Sequence, residues 1–437
     1  MKNRTVSSHD AIHLEHKYSA HNYHPLPVVL AKGEGVFVWD PEGKKYFDFL
    51  SAYSAVNQGH SHPRLLKAMF DQAGTLALTS RAFHNDVFGP YAEYITEYFG
   101  YDKVLPMNTG AEAVETAIKL CRKWAYDKKG LANGTAEIIV CNDNFHGRTT
   151  TIVSFSSDSD AREGFGPYPA GFRSIPYNDL DALAAALENK NVAGFLVEPI
   201  QGEAGVMVPD SQFISEAKRM CAEKNVLFMV DEVQTGIGRT GGLLAVCGDC
   251  RCAKKCEHGA TYVKPDILIL GKALSGGMYP VSAVLADDDI MMVIQAGQHG
   301  STFGGNPLAA KIAMEALEVI VDEELTQNAR RLGAIFREEM NAFKKECDLI
   351  TLVRGKGLLN AIVINDTDTS STAWKICIAL KDNGLLAKPT HGNIIRLAPP
   401  LVITEAQLME CIAIIKSTFK EYQEQHMGSA AVKAELR

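Results

Sequence analysis

Residues 226–233, VLFMVDEV, and residues 266–274, DILILGKAL, decide how this chain folds. Each is a short, continuously apolar run that meets a charged side chain. A strand with one face in water alternates apolar and polar residues. A run that is apolar throughout fits a strand covered on both faces, as in a parallel sheet. EIIVC at 137–141 and VAGFLVEP at 192–199 repeat the pattern. Stretches with helical spacing lie between such runs. One covers 112–128, with Val114, Ile118, Cys121 and Trp124, and another covers 215–224. Strand–helix alternation on this scale predicts an α/β unit with a mostly parallel central sheet.

Outward from this centre the pattern changes. Toward the N-terminus, GVFVWDPEGKKYFDFL at 35–50 reads as a hairpin, with PEGK as the turn. Toward the C-terminus, a helical stretch from Leu308 to about Phe343 is followed by two strand-like runs, LITLVRGKGLLNAIVI at 349–364 and NIIRLAPPLVI at 393–403. A last helix opens at Thr404, with Gln407 placed to complete a capping box. The expected organisation is an N-terminal segment 1–53, a large α/β domain 54–312, and a smaller α+β domain 313–437.

With 437 residues the chain is too long for one small core. Apolar residues make up 46% and charged residues 22%, as in globular proteins generally. The formal charge of −8 gives no basic footprint, so nucleic acid is not an expected partner. No apolar run is long enough for a membrane span, so no membrane is expected either. The opening MKNRTVSSHD has no apolar signal core and few arginines. The expected location is the cytoplasm, with the mitochondrial matrix as the alternative.

Ligands of open α/β sheets sit at the carboxyl ends of the strands. Four such ends here carry Glu198, Asp231, Lys272, and the loop with Phe145, His146 and Arg148. Asp231 follows an apolar run, where a carboxylate is costly without a partner. Alone it reads as a helix N-cap or a structural ion pair; a buried cation such as a protonated pyridine nitrogen is the other reading. Lys272 alone reads as a snorkelling side chain. A desolvated lysine, however, has a lowered pKa and becomes a nucleophile toward carbonyls. Gly271, Gly276 and Gly277 would let a ligand approach the backbone.

Two further segments suit an anion. In MNTGAEAVETAIKL, Thr109, Gly110 and Ala111 lead into a helix whose first N–H groups are unpaired, although a plain capped helix start looks the same. HGSTFGGNP offers the Ser301 and Thr302 hydroxyls. Neither matches a nucleotide-binding fingerprint. An aldehyde bound by lysine, a pyridinium bound by aspartate and a phosphate at a helix N-terminus together describe one cofactor, pyridoxal 5'-phosphate.

VDEVQTGIGRTG at 230–241, LGKALSGGMYP at 270–280 and STFGGNP at 301–307 resemble, in this order and spacing, the class-III aminotransferases of fold type I. The resemblance covers nearly the whole chain. AHNYHPLP, SAYSAVNQGH, NFHGRTT, EPIQGEAGV and IIRLAPPLVI resemble the branch of that family that uses ornithine. Relatives acting on acetylornithine or 4-aminobutyrate share the cofactor motifs and generally lack the tyrosines.

The resemblance implies roles by position. Lys272 would bind the cofactor aldehyde and later carry the proton, and Asp231 would pair with the ring nitrogen. Gln234 would lie near the ring hydroxyl, with Val233 and Phe145 on the two ring faces. Gly110 and Ala111 would hold the phosphate, with Ser301 and with Thr302 of a neighbouring subunit, which implies a homodimer with shared sites. Arg148, Tyr23 and Tyr53 would orient ornithine with its δ-amine toward the aldehyde. Arg396 would take the α-carboxylate of 2-oxoglutarate and be masked by Glu203 until that half-reaction. The implied reaction yields glutamate and glutamate 5-semialdehyde, which cyclises to pyrroline-5-carboxylate, a link between arginine and proline metabolism. The alternatives are another ω-aminotransferase, for acetylornithine or 4-aminobutyrate, or a non-catalytic binding module on the same scaffold.

One segment departs from the family pattern. The insertion at 247–260 carries Cys247, Cys250, Cys252, Cys256 and His258. Reduced surface thiols, a disulfide and a small metal site are its three readings, and no metal is expected in the active site itself. The other six cysteines are scattered through apparent helices and strands and are expected to be buried free thiols.

Overall fold

A computed structural model describes residues 6–248 and 262–434. Its centre is a seven-stranded sheet in the order Lys103–Met107, Ser282–Ala286, Ile267–Leu270, Leu227–Asp231, Val192–Val197, Glu137–Cys141 and Phe172–Ile175. Only Ser282–Ala286 runs antiparallel to both of its neighbours; the other pairings are parallel. The four runs that decided the fold are therefore neighbours at the centre of the sheet.

Their unbroken apolar character has a direct cause. Successive side chains on a strand point to opposite faces. Ile138, Val140, Leu227 and Met229 join one core with Val114, Ile118 and Cys121 of the helix Gly110–Trp124. Ile139, Cys141, Phe228 and Val230 join the core on the other face, with Phe213, Ala217 and Cys221 of the helix Phe213–Glu223. Each Val, Ile, Leu, Phe or Met side chain among them contributes about 1.5–3 kcal/mol when fully buried. Gly194 marks how closely the layers meet, since a Cβ there would lie 2.6 Å from Cys121 Sγ and 2.9 Å from Met229 Cε.

Two smaller sheets flank this layer. Lys32–Glu34, Phe37–Trp39 and Lys45–Asp48 form the expected hairpin region, completed by Leu385–Leu386 running parallel to Lys45–Asp48. Ile350–Lys356, Leu359–Ile364, Ile394–Leu397 and Lys388–Thr390 form an antiparallel sheet in that order. The capping box at Thr404 is present: Thr404 N donates to Gln407 Oε1 at 2.9 Å, and Gln407 N to Thr404 Oγ1 at 3.3 Å.

Two helices differ from the sequence reading. The stretch 308–343 is two helices, Pro307–Asp322 and Leu325–Phe343, separated at Glu324, whose φ of 52° is left-handed. Both halves face the same core, so the apolar period runs through the break. The helix expected over 112–128 begins at Gly110 and passes after Trp124 into a π-helical turn, Ala125–Lys129. The six cysteines outside the insertion are free and buried. Of the insertion, only Cys247, which is buried, and Gly248 are among the described residues; its other three cysteines and His258 lie outside them. No helix among the described residues is long and apolar enough to cross a membrane.

Candidate active site

The carboxyl ends of the central strands open onto a cavity of about 200 Å³, several times the space one water needs. Gly110, Ala111, Phe145, His146, Glu198, Glu203, Asp231, Val233, Gln234 and Lys272 are among its lining residues. Eight of the fourteen sequence-predicted site residues thus meet at one place.

Asp231 closes the strand Leu227–Asp231 and is buried. Its Oδ1 accepts the Val233 N–H at 2.9 Å, and its Oδ2 lies 2.7 Å from His146 Nδ1. Burial disfavours a charged His146. The hydrogen bond and the negative charge of Asp231 outweigh that cost and raise the imidazole pKa above its ordinary value. His146 Nε2 is buried with no hydrogen-bond partner among the described residues. Glu198, also buried, accepts the Phe145 N–H at 3.0 Å. Desolvation, with Asp231 nearby, pushes its pKa up to about 8 although His146 opposes the shift. Burial therefore favours the neutral form of Glu198 near pH 7.

Lys272 follows Gly271 at the end of Ile267–Leu270 and holds a left-handed φ of 46°. That conformation costs a non-glycine residue about 1 kcal/mol or more and concentrates at functional sites. Burial pushes the amine below the ordinary lysine pKa, while Glu203 and Asp231 oppose the shift. The amine is thus biased toward its neutral, nucleophilic form.

Opposite stands the N-terminus of the helix Gly110–Trp124. Thr109 Oγ1 accepts the Glu112 N–H at 3.2 Å, and Glu112 Oε2 accepts the Thr109 N–H at 3.1 Å. This box satisfies donors beside the first turn and leaves Gly110 and Ala111 facing the cavity. A Cβ at Gly110 would approach Val233 Cγ1 to 2.9 Å.

These residues fit a phosphorylated pyridine aldehyde. Gln234 Oε1 is a buried acceptor without a partner among the described residues, suited to a ring hydroxyl. Gln234 Nε2 donates to Glu203 Oε1 at 2.9 Å. The amide needs a glycine beside it, because a Cβ at Gly202 would fall 1.5 Å from Oε1.

Glu203 also accepts from Arg396 Nη1 at 2.5 Å. Burial raises the Glu203 pKa, but Arg396, Gln234 and Lys272 outweigh it and hold the carboxylate below its ordinary value. Arg396, on Ile394–Leu397, is buried, and its guanidinium lies 4.9 Å from the centre of the Tyr53 ring. Arg148 sits in the adjoining cleft, 5.3 Å from the Phe145 ring centre and 3.4 Å from Asp158. Tyr23 is exposed, its ring 5.9 Å from Lys388 Nζ. Ser301 and Thr302 do not line the cavity within this chain; Ser301 Oγ accepts from Asn108 Nδ2 at 2.7 Å.

The sequence reading placed His146 in the loop but gave it no role. Its contact with Asp231 spans 85 residues, and nothing local announces it. Glu198 was noted only as a strand end, and Lys388 was not singled out.

Comparison with known proteins bears on this site. The Aminotransferase class-III family profile matches residues 18–419. A mitochondrial ornithine aminotransferase of Rattus norvegicus is 57% identical over 408 residues, covering 93% of this chain and 90% of that protein. The ornithine aminotransferase of Toxoplasma gondii, crystallised with oxidised glutathione and with partial occupancy of PLP at its active site, superposes with a TM-score of 0.91 at 46% identity, covering 97% of this chain and 96% of that one. An acetylornithine aminotransferase of Elizabethkingia anophelis superposes with a TM-score of 0.85 at 59% identity, covering 95% of this chain and 99% of that one.

Proposed function

This chain belongs to the class-III aminotransferase family, and from that premise we propose that it moves the δ-amino group of L-ornithine to 2-oxoglutarate. The products would be glutamate and glutamate 5-semialdehyde, which cyclises to pyrroline-5-carboxylate and so links arginine with proline metabolism. When bound, pyridoxal 5'-phosphate supplies an aldehyde that takes up amines and a ring that accepts the electrons released when a carbon loses its proton.

The chain's own residues supply the rest. Gly110 and Ala111 would hold the phosphate on their N–H groups, joined by Ser301 and Thr302 of a neighbouring subunit in a homodimer. Asp231, oriented by His146 and by the Val233 N–H, would keep the ring nitrogen protonated. Phe145 and Val233 would confine the ring, and Gln234 would meet its hydroxyl. Lys272, with its lowered pKa, would bind the aldehyde, then take the proton from Cδ of ornithine and return it.

The observation that carries the choice of substrates is the Glu203–Arg396 pair beside Lys272. An unmasked arginine there would seize the α-carboxylate of any amino acid and bring its α-amine to the reacting centre. With Glu203 in place, the ornithine carboxylate is left to Arg148, Tyr23 and Tyr53, and the δ-amine leads. Release of Glu203 then frees Arg396 for the α-carboxylate of 2-oxoglutarate. Acetylornithine is the second reading, favoured by the 59% identity to the Elizabethkingia anophelis enzyme.

The test compares ornithine, acetylornithine and 4-aminobutyrate as donors to 2-oxoglutarate, with trapping of the cyclic imine. Ornithine should give the highest kcat/KM and the trapped product. A higher value for acetylornithine would overturn the reading. The domain division at 53 and 312 belongs to the same proposal, supported by three sheets drawn largely from separate parts of the chain. The buried free cysteines support a reducing compartment, the cytoplasm or the mitochondrial matrix.

A further inference from the structure

The geometry points to an anion site outside the cavity already described: a cleft beside the second half of the helix Gly110–Trp124 that takes a phosphate group. The cleft measures about 520 Å³, within the range of small-ligand pockets. Lys119, Arg122, Lys123, Tyr126, Asp127 and His299 are among its lining residues. The three cations of the helix are spaced three or four apart, so they share one face. Gly110 precedes Lys119 by about two and a half turns, roughly 14 Å along the helix axis. The cleft is therefore separate from the proposed seat of the cofactor phosphate.

Charge in the cleft is out of balance. Lys123 pairs with Asp127 at 2.8 Å, and Asp127 is the one carboxylate lining the cleft among the described residues. Lys119 and Arg122 pair with no carboxylate among the described residues. Arg122 Nη2 donates to the Ala170 carbonyl oxygen at 3.1 Å, and the guanidinium lies 4.8 Å from the centre of the Phe172 ring. Those contacts use one N–H of a fork that carries five. Like charges at such spacing destabilise a helix, and a bound anion would relieve the repulsion.

His299 shows that Lys119 is held in place. Thr116 Oγ1 donates its single proton to the Glu112 carbonyl oxygen at 2.7 Å. It must therefore accept from His299 Nε2, which lies 2.8 Å away. Nδ1 is left as an acceptor, and Lys119 Nζ donates to it at 2.9 Å. An imidazole so placed is neutral. Burial and the charge of Lys119 hold its pKa below the ordinary value, against the opposing pull of Glu112. Lys119 Nζ also reaches the Gln298 carbonyl oxygen at 3.4 Å. A cation fixed by neutral acceptors keeps its whole charge for a ligand. Arginine's planar fork matches phosphate oxygens, and lysine adds a point charge. Tyr126 and Asp127 belong to the π-helical turn Ala125–Lys129, a distortion frequent at functional sites. The half-buried Tyr126 ring gives the cleft an apolar wall, with room for the organic part of a phosphate ester.

Isothermal titration of the holoenzyme, whose cofactor seat is filled, with adenosine 5'-monophosphate, inorganic phosphate and adenosine tests this. Both phosphate compounds should bind at one site per chain, more weakly as salt is raised, and adenosine should not bind measurably. In Lys119→Gln the Kd of each should rise on the order of tenfold, the loss of one charge-assisted hydrogen bond. Lys119→Arg should restore binding. The absorption spectrum of the bound cofactor should stay unchanged throughout. The two phosphate arms separate the sources of the anion. A tighter monophosphate assigns the site to an ester, equal affinities assign it to free phosphate, and either result supports the cleft. Absence of saturable binding of both compounds, equal affinity in Lys119→Gln and the unsubstituted protein, or release of the cofactor by the monophosphate would each overturn the assignment.

Discussion

The two ends of the cavity are built in opposite ways. At the proposed cofactor end, Asp231, Lys272, Glu198 and the Phe145 loop sit at the ends of parallel strands of one sheet, facing the start of one helix. At the proposed substrate end, Glu203, Arg396, Lys388 and Tyr53 come from the loop after Val192–Val197, two strands of the C-terminal sheet, and a left-handed turn after Lys45–Asp48. The first end is an outcome of a single rule of α/β architecture, that strand ends converge. The second is an assembly of three chain regions held by ion pairing and a tyrosine. The difference implies that chemistry common to the family resides at the first end and discrimination among substrates at the second.

Substitutions should divide along that line. Lys272→Ala should cost at least about a thousandfold in turnover with every donor tested, measured by coupled assay. Loss confined to ornithine would break the division. Next in size, His146→Phe removes the partner of Asp231 Oδ2 and should lower kcat/KM by roughly one to two orders of magnitude for all donors alike. It should also weaken retention of pyridoxal 5'-phosphate in equilibrium dialysis. Retention at the unsubstituted level would mean that Asp231 needs no support from the imidazole.

Glu203→Ala should behave differently. With Arg396 uncovered, the kcat/KM ratio of competing α-amino donors to ornithine should rise by about tenfold. An unchanged ratio would remove the masking role and place discrimination elsewhere. The smallest effect concerns stability. The Glu198 pKa is raised from 4.5 to about 8, so the folded state binds more protons than the unfolded one between those values. Stability should therefore fall as pH rises through that window. Glu198→Gln keeps the shape without the titration. Its Tm should match that of the unsubstituted protein below pH 4.5 and exceed it by a few degrees near pH 8. Parallel curves across the window would contradict the assigned burial.

Legibility in the sequence followed the same line. The strand Glu137–Cys141 fits its apolar run to the residue, and the box at Thr404 and Gln407 formed as read, because both depend on neighbours within a few positions. Asp231 and Lys272 stood out because charge after apolar sequence is costly. Contacts fixed by register were not legible from residues alone. Nothing around Lys388 says that it faces Arg396, and nothing around Leu385 says that it pairs with Phe47. The break at Glu324 was hidden because no glycine or proline marks it. The substrate end was reached through resemblance to a family, and its geometry adds the register that resemblance does not supply.

The account depends most on Lys272 being the residue that meets the cofactor aldehyde, opposite Asp231. Borohydride reduction of the holoenzyme, followed by peptide mass spectrometry, reads this directly. The expected result is a single pyridoxyl phosphate mass on the peptide that contains Lys272. The same mass on another lysine, or none on a protein that had bound the cofactor, would contradict it.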